Sequence, residues 1–253
     1  MIAISLRGLT KRFGAKVAVA GIDLDVPVGS FFGLVGPNGA GKTTTLRMAT
    51  GLLRPDGGSV TILDTDVWSA PSEAKAKIGV LPEDVPLFDR LTAWELLSYT
   101  GLLRSMPEST ITERSHELLD VFGLTADAGS MVVDFSQGMR KKMGLACALL
   151  HAPRVLFLDE PFESVDPVSS RTIREVLRSF TASGGTIVFS SHVMETVQNL
   201  CDRVAIVHQG RIVASGAVDE VRGQGSLEDA FFSLVGVRPD ASGRLAWLSS
   251  SSG

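Results

Sequence analysis

The feature that most constrains this chain is a glycine-rich run that leads straight into Lys-Thr: Gly36, Pro37, Asn38, Gly39, Ala40, Gly41, Lys42, Thr43 and Thr44. It fits the pattern G-x-x-x-x-G-K-[ST]. At average residue frequencies such a match arises by chance in a chain of this length about one time in a hundred. The flanks strengthen it. Phe31 to Val35 is a short apolar run suited to a buried strand, and Leu46, Ala49 and Leu53 recur at helical spacing beyond the loop. Strand, glycine-rich loop and helix together make a cradle for phosphates. Glycines let the backbone curl until successive N–H groups point at an anion. The following helix adds its positive end. Lys42 supplies an ammonium for the β and γ phosphates of a nucleotide, and Thr43 a hydroxyl for Mg²⁺.

The rest of the chain reads as α/β with a helical middle. Ile2 to Leu6 and Gly21 to Val26 alternate apolar and polar residues, as half-buried strands do. Pro55 to Gly58 is a turn before a further strand, Ser59 to Leu63. Thr92 with Glu95, and Thr110 with Glu113, both fit a capping box at a helix start. Leu96, Tyr99 and Leu103 follow the first; Leu118, Leu119 and Phe122 follow the second, with Gly123 as its stop. These place a helical lobe over about residues 84–150. Strands return at Val155 to Leu158, Gly185 to Phe189 and Arg203 to Val207. Between the first two, Asp166-Pro167 opens a helix with Ile173, Val176, Leu177 and Phe180 on one face. Strands alternating with helices imply a mainly parallel core sheet. Residues 1–236 read as one domain. Residues 237–253 form a polar tail rich in Ser and Gly, in which Trp247 is the one candidate anchor.

A second chemical cluster sits at the strand Val155 to Leu158, which ends in Asp159 and Glu160. With a phosphate loop in the same chain, Asp159 is placed to hold Mg²⁺ through water. Glu160 is placed to polarise the water that attacks the γ-phosphate. His192, just past the strand ending in Phe189, can reach the same phosphate.

Composition narrows the partners. The formal net charge is −4, with no basic footprint for nucleic acid, so no nucleic-acid partner is expected. Cys147 and Cys201 cannot build a disulfide framework, and a cytoplasmic location follows. No run approaches the roughly 20 apolar residues of a membrane span, and Met1 to Arg7 lacks the pattern of a signal peptide. A membrane role would have to come through a partner.

The order of motifs resembles the nucleotide-binding subunit of ATP-binding cassette transporters. Phe135-Ser136-Gln137-Gly138-Met139 looks like a variant of that family's Leu-Ser-Gly-Gly-Gln signature. Ser164 to Asp166 resembles its D-loop, Ser191-His192 its switch histidine, and Ile78 to Glu83 its Q-loop. Phe13 occupies the place of the aromatic that stacks on adenine, and Cys201 to Gly216 reads like the family's closing strands. Leu81-Pro82-Glu83, the Ser-x-Gly-Met signature and Leu227 to Phe232 look like the bacterial branch that serves drug and antibiotic exporters.

The resemblance implies a P-loop NTPase fold with a mainly parallel core sheet, an antiparallel β subdomain and an inserted helical lobe. It implies ATP and Mg²⁺ as ligands, with Phe13 on the base and Thr43, Glu83 and Asp159 toward the metal. Glu160, His192 and Lys42 would carry the hydrolysis. A second copy or a homologous cassette would pack head to tail, Ser136 and Gly138 of each chain facing the γ-phosphate held by the other. A separate membrane permease would be driven from the inner face of the cell membrane. Four positions depart from the family pattern: Gln137 and Met139 in the signature, Glu83 where Gln is usual, and Phe13 in place of the commoner Tyr. A soluble cassette protein and a nucleotide-dependent regulator remain the alternatives. An Asn-Lys-x-Asp motif for guanine is absent, which argues against a GTPase.

Overall fold

Twelve-residue alternating strands at the start of a chain can dry only one face each, so they need a second layer behind them. The computed structural model describes residues 1–236 and supplies that layer. β1 (Ile2–Phe13) and β2 (Lys16–Pro27) form an antiparallel hairpin, burying Ile4, Leu6 and Leu9 beside Val19, Ile22 and Val26. β3 (Phe31–Val35) is buried along its whole length and feeds the phosphate loop and α1 (Lys42–Ala49). Leu53 packs on the core as its spacing predicted, but from a turn and not from the helix. The reason is Gly51, whose φ of 72° ends α1 early. β4 (Gly57–Ile62) and β5 (Thr65–Asp66) complete an antiparallel sheet of order β2-β1-β4-β5. The antiparallel subdomain is therefore present as expected.

After α2 (Pro71–Ala76) and β6 (Ile78–Leu81) come the helices α3 (Ala93–Leu103), α4 (Glu108–Val121) and α5 (Gln137–Leu149). The first capping box is formed: Thr92 Oγ1 accepts from the Glu95 amide at 3.2 Å, and Glu95 accepts from the Thr92 amide at 2.8 Å. The second is not. Pro107 caps α4, its carbonyl accepting from the Ile111 amide at 3.0 Å, so the helix is under way before Thr110. Proline's fixed φ and missing N–H suit a helix entry, and this local signal outranks the Thr–Glu spacing. Gly123, at φ 64°, stops α4 where the sequence placed the stop.

The chain then alternates through β7 (Val155–Asp159), α6 (Pro167–Ala182), β8 (Thr186–Ser191), α7 (Met194–Leu200), β9 (Arg203–His208), β10 (Arg211–Ala217), α8 (Val218–Arg222) and α9 (Leu227–Val235). Asp166 caps α6 by accepting from the Ser169 amide at 2.9 Å, with Pro167 at the first helical position. The second sheet has the order β10-β9-β3-β8-β7-β6. Its strands run parallel except β10, an antiparallel edge. One core lies between the two sheets and around α1; the other joins the second sheet to the helical lobe and α6. Among the described residues no helix is long and apolar enough to cross a membrane. The polar tail, 237–253, and Trp247 lie outside the described residues.

The lobe is seated on the sheet through Gly79 of β6. A Cβ there would stand 2.2 Å from the Ala148 carbonyl oxygen of α5. Backbone cannot yield as a flexible side chain can, so Gly79→Ala should lower stability by about 2 kcal/mol. Chemical denaturation of the two proteins, compared at equal slope, measures this.

Candidate functional site

The parallel strands deliver their loops to one edge of the sheet. Val35, the last residue of β3, pairs in register with Ser191 of β8, and Asp159, the last of β7, with Ser190. The phosphate loop, the two carboxylates and His192 are thus neighbours at the carboxyl ends of the strands, where open α/β sheets bind ligands.

A pocket of about 330 Å³ lies there. Its wall includes Asn38, Gly39, Gly41, Lys42, Thr43 and Thr44 from the loop, Phe13 and Lys16 from the hairpin, and Glu83 and Glu160 opposite. Gly36 and Ala40 instead form the loop's buried underside, and Pro37 is exposed beside His192. Gly36 lies so close to β9 that a Cβ would meet the Val207 carbonyl oxygen at 2.2 Å. Ala40 is buried, and its carbonyl accepts from the Gly210 amide at 2.8 Å. Gly41 caps α1 at φ 110°, a region closed to other residues, with the Ala18 carbonyl oxygen 2.5 Å from where a Cβ would stand.

Lys42 is buried, and its ammonium donates to the Gly36 carbonyl at 2.8 Å and stands 3.6 Å from Glu160 Oε1. The other Glu160 oxygen lies 3.1 Å from His192 Nδ1. The three residues named from sequence for hydrolysis therefore meet at one carboxylate. Glu160 itself has φ 46°, the left-handed region that a branched or long side chain enters at a cost of about 1–3 kcal/mol. Burial raises its pKa above the ordinary glutamate value; the hydrogen bond from His192 and the charge of Lys42 oppose that rise.

Asp159 is buried and stands behind Thr43 instead of in the pocket wall. Thr43 donates to Asp159 Oδ1 at 3.2 Å, and the Ser190 hydroxyl donates to the same oxygen. Two oxygen donors, a hydroxyl and a carboxylate, with Glu83 across the pocket, suit a hard cation such as Mg²⁺. Among the described residues no cluster of three His, Cys, Asp or Glu is close enough to hold a metal unaided. A Mg²⁺ here would need phosphate oxygens and water for its remaining positions.

Phe13 is 51% exposed at the pocket's mouth, its ring face free for a planar base except for the Lys11 ammonium, 5.9 Å from the centroid. Ser136 and Gly138 do not line this pocket. Ser136 caps α5, its hydroxyl accepting from the Met139 amide at 3.2 Å. Gly138 has a role inside the chain: a Cβ would meet Asp166 Oδ2 at 2.5 Å and Ser169 Oγ at 2.7 Å. The α5 start is thereby packed on the α6 start.

Sequence reasoning missed Lys16, Ser190 and Lys141. Ser190 joins the Asp159 carboxylate to the Glu160 backbone, since its hydroxyl also accepts from the Glu160 amide at 3.1 Å. A serine two residues before a candidate histidine was the available signal. Lys141 donates to the Glu83 carbonyl at 2.8 Å and the Glu160 carbonyl at 3.2 Å.

Residues 19–163 match the family described as ABC transporter. The chain is 37% identical over 213 residues to the linearmycin resistance ATP-binding protein of Bacillus subtilis, covering 84% of this chain and 68% of that one. It is 36% identical over 220 residues to the daunorubicin/doxorubicin resistance ATP-binding protein of Streptomyces peucetius, covering 87% and 67%. A solved structure described as the ATP binding subunit of an ABC transporter superposes with a TM-score of 0.85 at 29% identity, covering 92% of this chain and 99% of the other.

The raised pKa of Glu160 has a consequence for stability. Its folded value lies above its unfolded one, so the ionised form is penalised by folding. Stability therefore falls as the pH rises from the ordinary value of 4.5 through the folded pKa, and the penalty is complete above that. Glu160→Gln should raise the melting temperature at neutral pH, and the gain should vanish below the ordinary glutamate pKa. Thermal unfolding of both proteins across that range decides it.

Proposed function

Because the chain belongs to the ABC transporter family, we propose that it is an ATP-hydrolysing subunit that powers export through a separate membrane permease. The observation that carries the enzymatic part is the convergence of Lys42 and His192 on the buried Glu160 carboxylate, at 3.6 and 3.1 Å. The two relatives named for resistance to linearmycin and to daunorubicin and doxorubicin support the export direction. A cytoplasmic place on the inner face of the membrane follows from a permease partner.

ATP enters with its base on Phe13 and its phosphates against the loop amides. Lys42 turns its ammonium from the Gly36 carbonyl to the β and γ phosphates. Glu160 accepts a proton from the water aimed at the γ-phosphorus, and His192 holds Glu160 Oε2 and faces the same phosphate. Thr43, Asp159 and Glu83 would hold Mg²⁺, which when bound neutralises phosphate charge. Asp159 and the Glu160 amide are kept in register by Ser190.

The pocket is open on one side, and Ser136 and Gly138 do not line it. That supports a site completed by a second cassette, whose α5 start would present its amides and positive end to the γ-phosphate. Phosphate release would then part the two chains and move the permease. We take residues 1–236 as the cassette domain, with the lobe at about 84–150 as the part that meets the permease.

Glu160→Gln should retain ATP binding and cut hydrolysis by about 10²-fold or more, trapping an ATP-bound dimer. Lys42→Ala should abolish tight ATP binding, since the loop loses its mobile cation. Calorimetry with Mg-ATP, phosphate release and size-exclusion chromatography with light scattering read the three effects. Near-normal turnover of Glu160→Gln would remove Glu160 from the role of base.

Glu83 gives a sharper expectation, because a carboxylate beside phosphates is repelled unless a cation lies between them. Glu83→Gln should tighten ATP binding when Mg²⁺ is scarce and change it less when Mg²⁺ saturates. A metal-independent response in a Mg²⁺ titration would exclude Glu83 as a ligand.

A further inference from the structure

Lys141 is a buried charge to which the reaction above gives no task. It lies on the inward face of α5 and is 6% exposed. Burying an ammonium is unfavourable unless its donors are satisfied and opposite charge is near. Both conditions hold. Its Nζ donates to the Glu83 carbonyl at 2.8 Å and to the Glu160 carbonyl at 3.2 Å. Burial lowers its pKa, and the carboxylates of Glu163, Glu83, Asp159 and Glu160 oppose that.

The two acceptors belong to different parts of the chain. Glu83 follows β6 and leads into the helical lobe, while Glu160 follows β7 and carries the buried carboxylate. The Glu160 backbone is held at a positive φ of 46°, a conformation that persists only where its surroundings fix it. Ser190 fixes its amide side and Lys141 its carbonyl side. One turn further along α5, Gly144 lets the same segment approach closely: a Cβ there would meet Val85 Cγ1 at 2.6 Å and Leu81 Cδ1 at 2.7 Å. α5 thus grips the start of the 83–85 segment by a bond and its end by packing.

We propose that Lys141 is a positioning residue that ties α5, the 83–85 segment and the Glu160 peptide into one unit, so that displacement of the helical lobe shifts the Glu160 carboxylate relative to the phosphate loop. The tie runs through backbone carbonyls, so it transmits position whichever side chains stand at 83 and 160. It rests on the reading of Glu160 as the base that activates water.

The test compares Lys141→Met, which keeps the stem and removes the donors, with Lys141→Arg, which keeps donors and charge. The readouts are steady-state hydrolysis of Mg-ATP and hydrogen–deuterium exchange in the presence of Mg-ATP. Lys141→Met should lower kcat about 10-fold, the scale of a misplaced catalytic group. Its KM should stay within about twofold, since no contact to ATP is removed. Exchange should quicken at 83–85 and 160–163 and stay unchanged in α1, and Lys141→Arg should restore most of both. Unchanged kcat and exchange in Lys141→Met would overturn the proposal. Equal loss in both variants with faster exchange throughout the chain would also overturn it, reducing Lys141 to a brace of the fold. Glu160→Gln measured alongside separates the premise from the inference. Its normal turnover would remove the base, while local exchange in Lys141→Met would still report whether the tie exists.

Discussion

One buried ammonium and one buried carboxylate, Lys42 and Glu160, stand 3.6 Å apart with side chains 5% and 9% exposed. Burying either charge without the other would be unfavourable, because each loses water. Together, and with His192 on the second carboxylate oxygen, the charges offset one another at the base of an open pocket. The two residues, one opening α1 and one following β7, are far apart in the chain. They meet because β3 and β7 both flank β8 in parallel and end within one register step of each other. A one-residue slip of either strand would turn its side chains to the other face and separate the pair. The sheet's register is therefore a condition of the chemistry.

The glycines divide between two tasks. Gly41 supplies the left-handed turn that starts α1, and Gly36 the space for β9 to pass beneath the loop. Neither task involves a ligand directly, yet both shape the row of amides that faces the pocket. Gly138 and Gly79 do the same for the lobe, letting α5 sit against the Asp166 and Ser169 side chains at the α6 start and letting β6 approach the α5 backbone. Under the proposed reading, a lobe seated so closely could carry a displacement from a permease contact to the site.

The phosphate loop, the strand bearing Asp159 and Glu160, and the α6 start were legible because each rests on local chemistry. Glycine spacing, an apolar run and an Asp-Pro cap need no distant partner to be recognised. The α4 start was misread for a related reason: two local signals competed, and the fixed φ of Pro107 prevailed over the Thr110–Glu113 spacing. Leu53 was read correctly as apolar and packed, but the helix ended earlier at Gly51. Ser190 and Lys141 were not legible, because their partners are backbone groups and carboxylates contributed by other elements. A lysine in a run of basic residues, Arg140-Lys141-Lys142, reads as a solvated face until the fold turns the middle one inward.

Charge balance also connects binding to activation under the proposed reading. Lys42 now lowers the pKa of Glu160, as does His192, against the larger effect of burial. When a triphosphate occupies the loop, Lys42 turns to the phosphates and its charge is neutralised there. Glu160 then loses a compensating cation and gains a negative neighbour, and both changes raise its proton affinity. The carboxylate thus becomes a stronger base when there is a phosphate to attack and a weaker one when the pocket is empty. His192, which stands 3.1 Å from Glu160 Oε2 in the empty site, is placed to keep the carboxylate oriented while its basicity rises. The ion pair of the empty site is the same contact whose replacement by substrate prepares the site for hydrolysis.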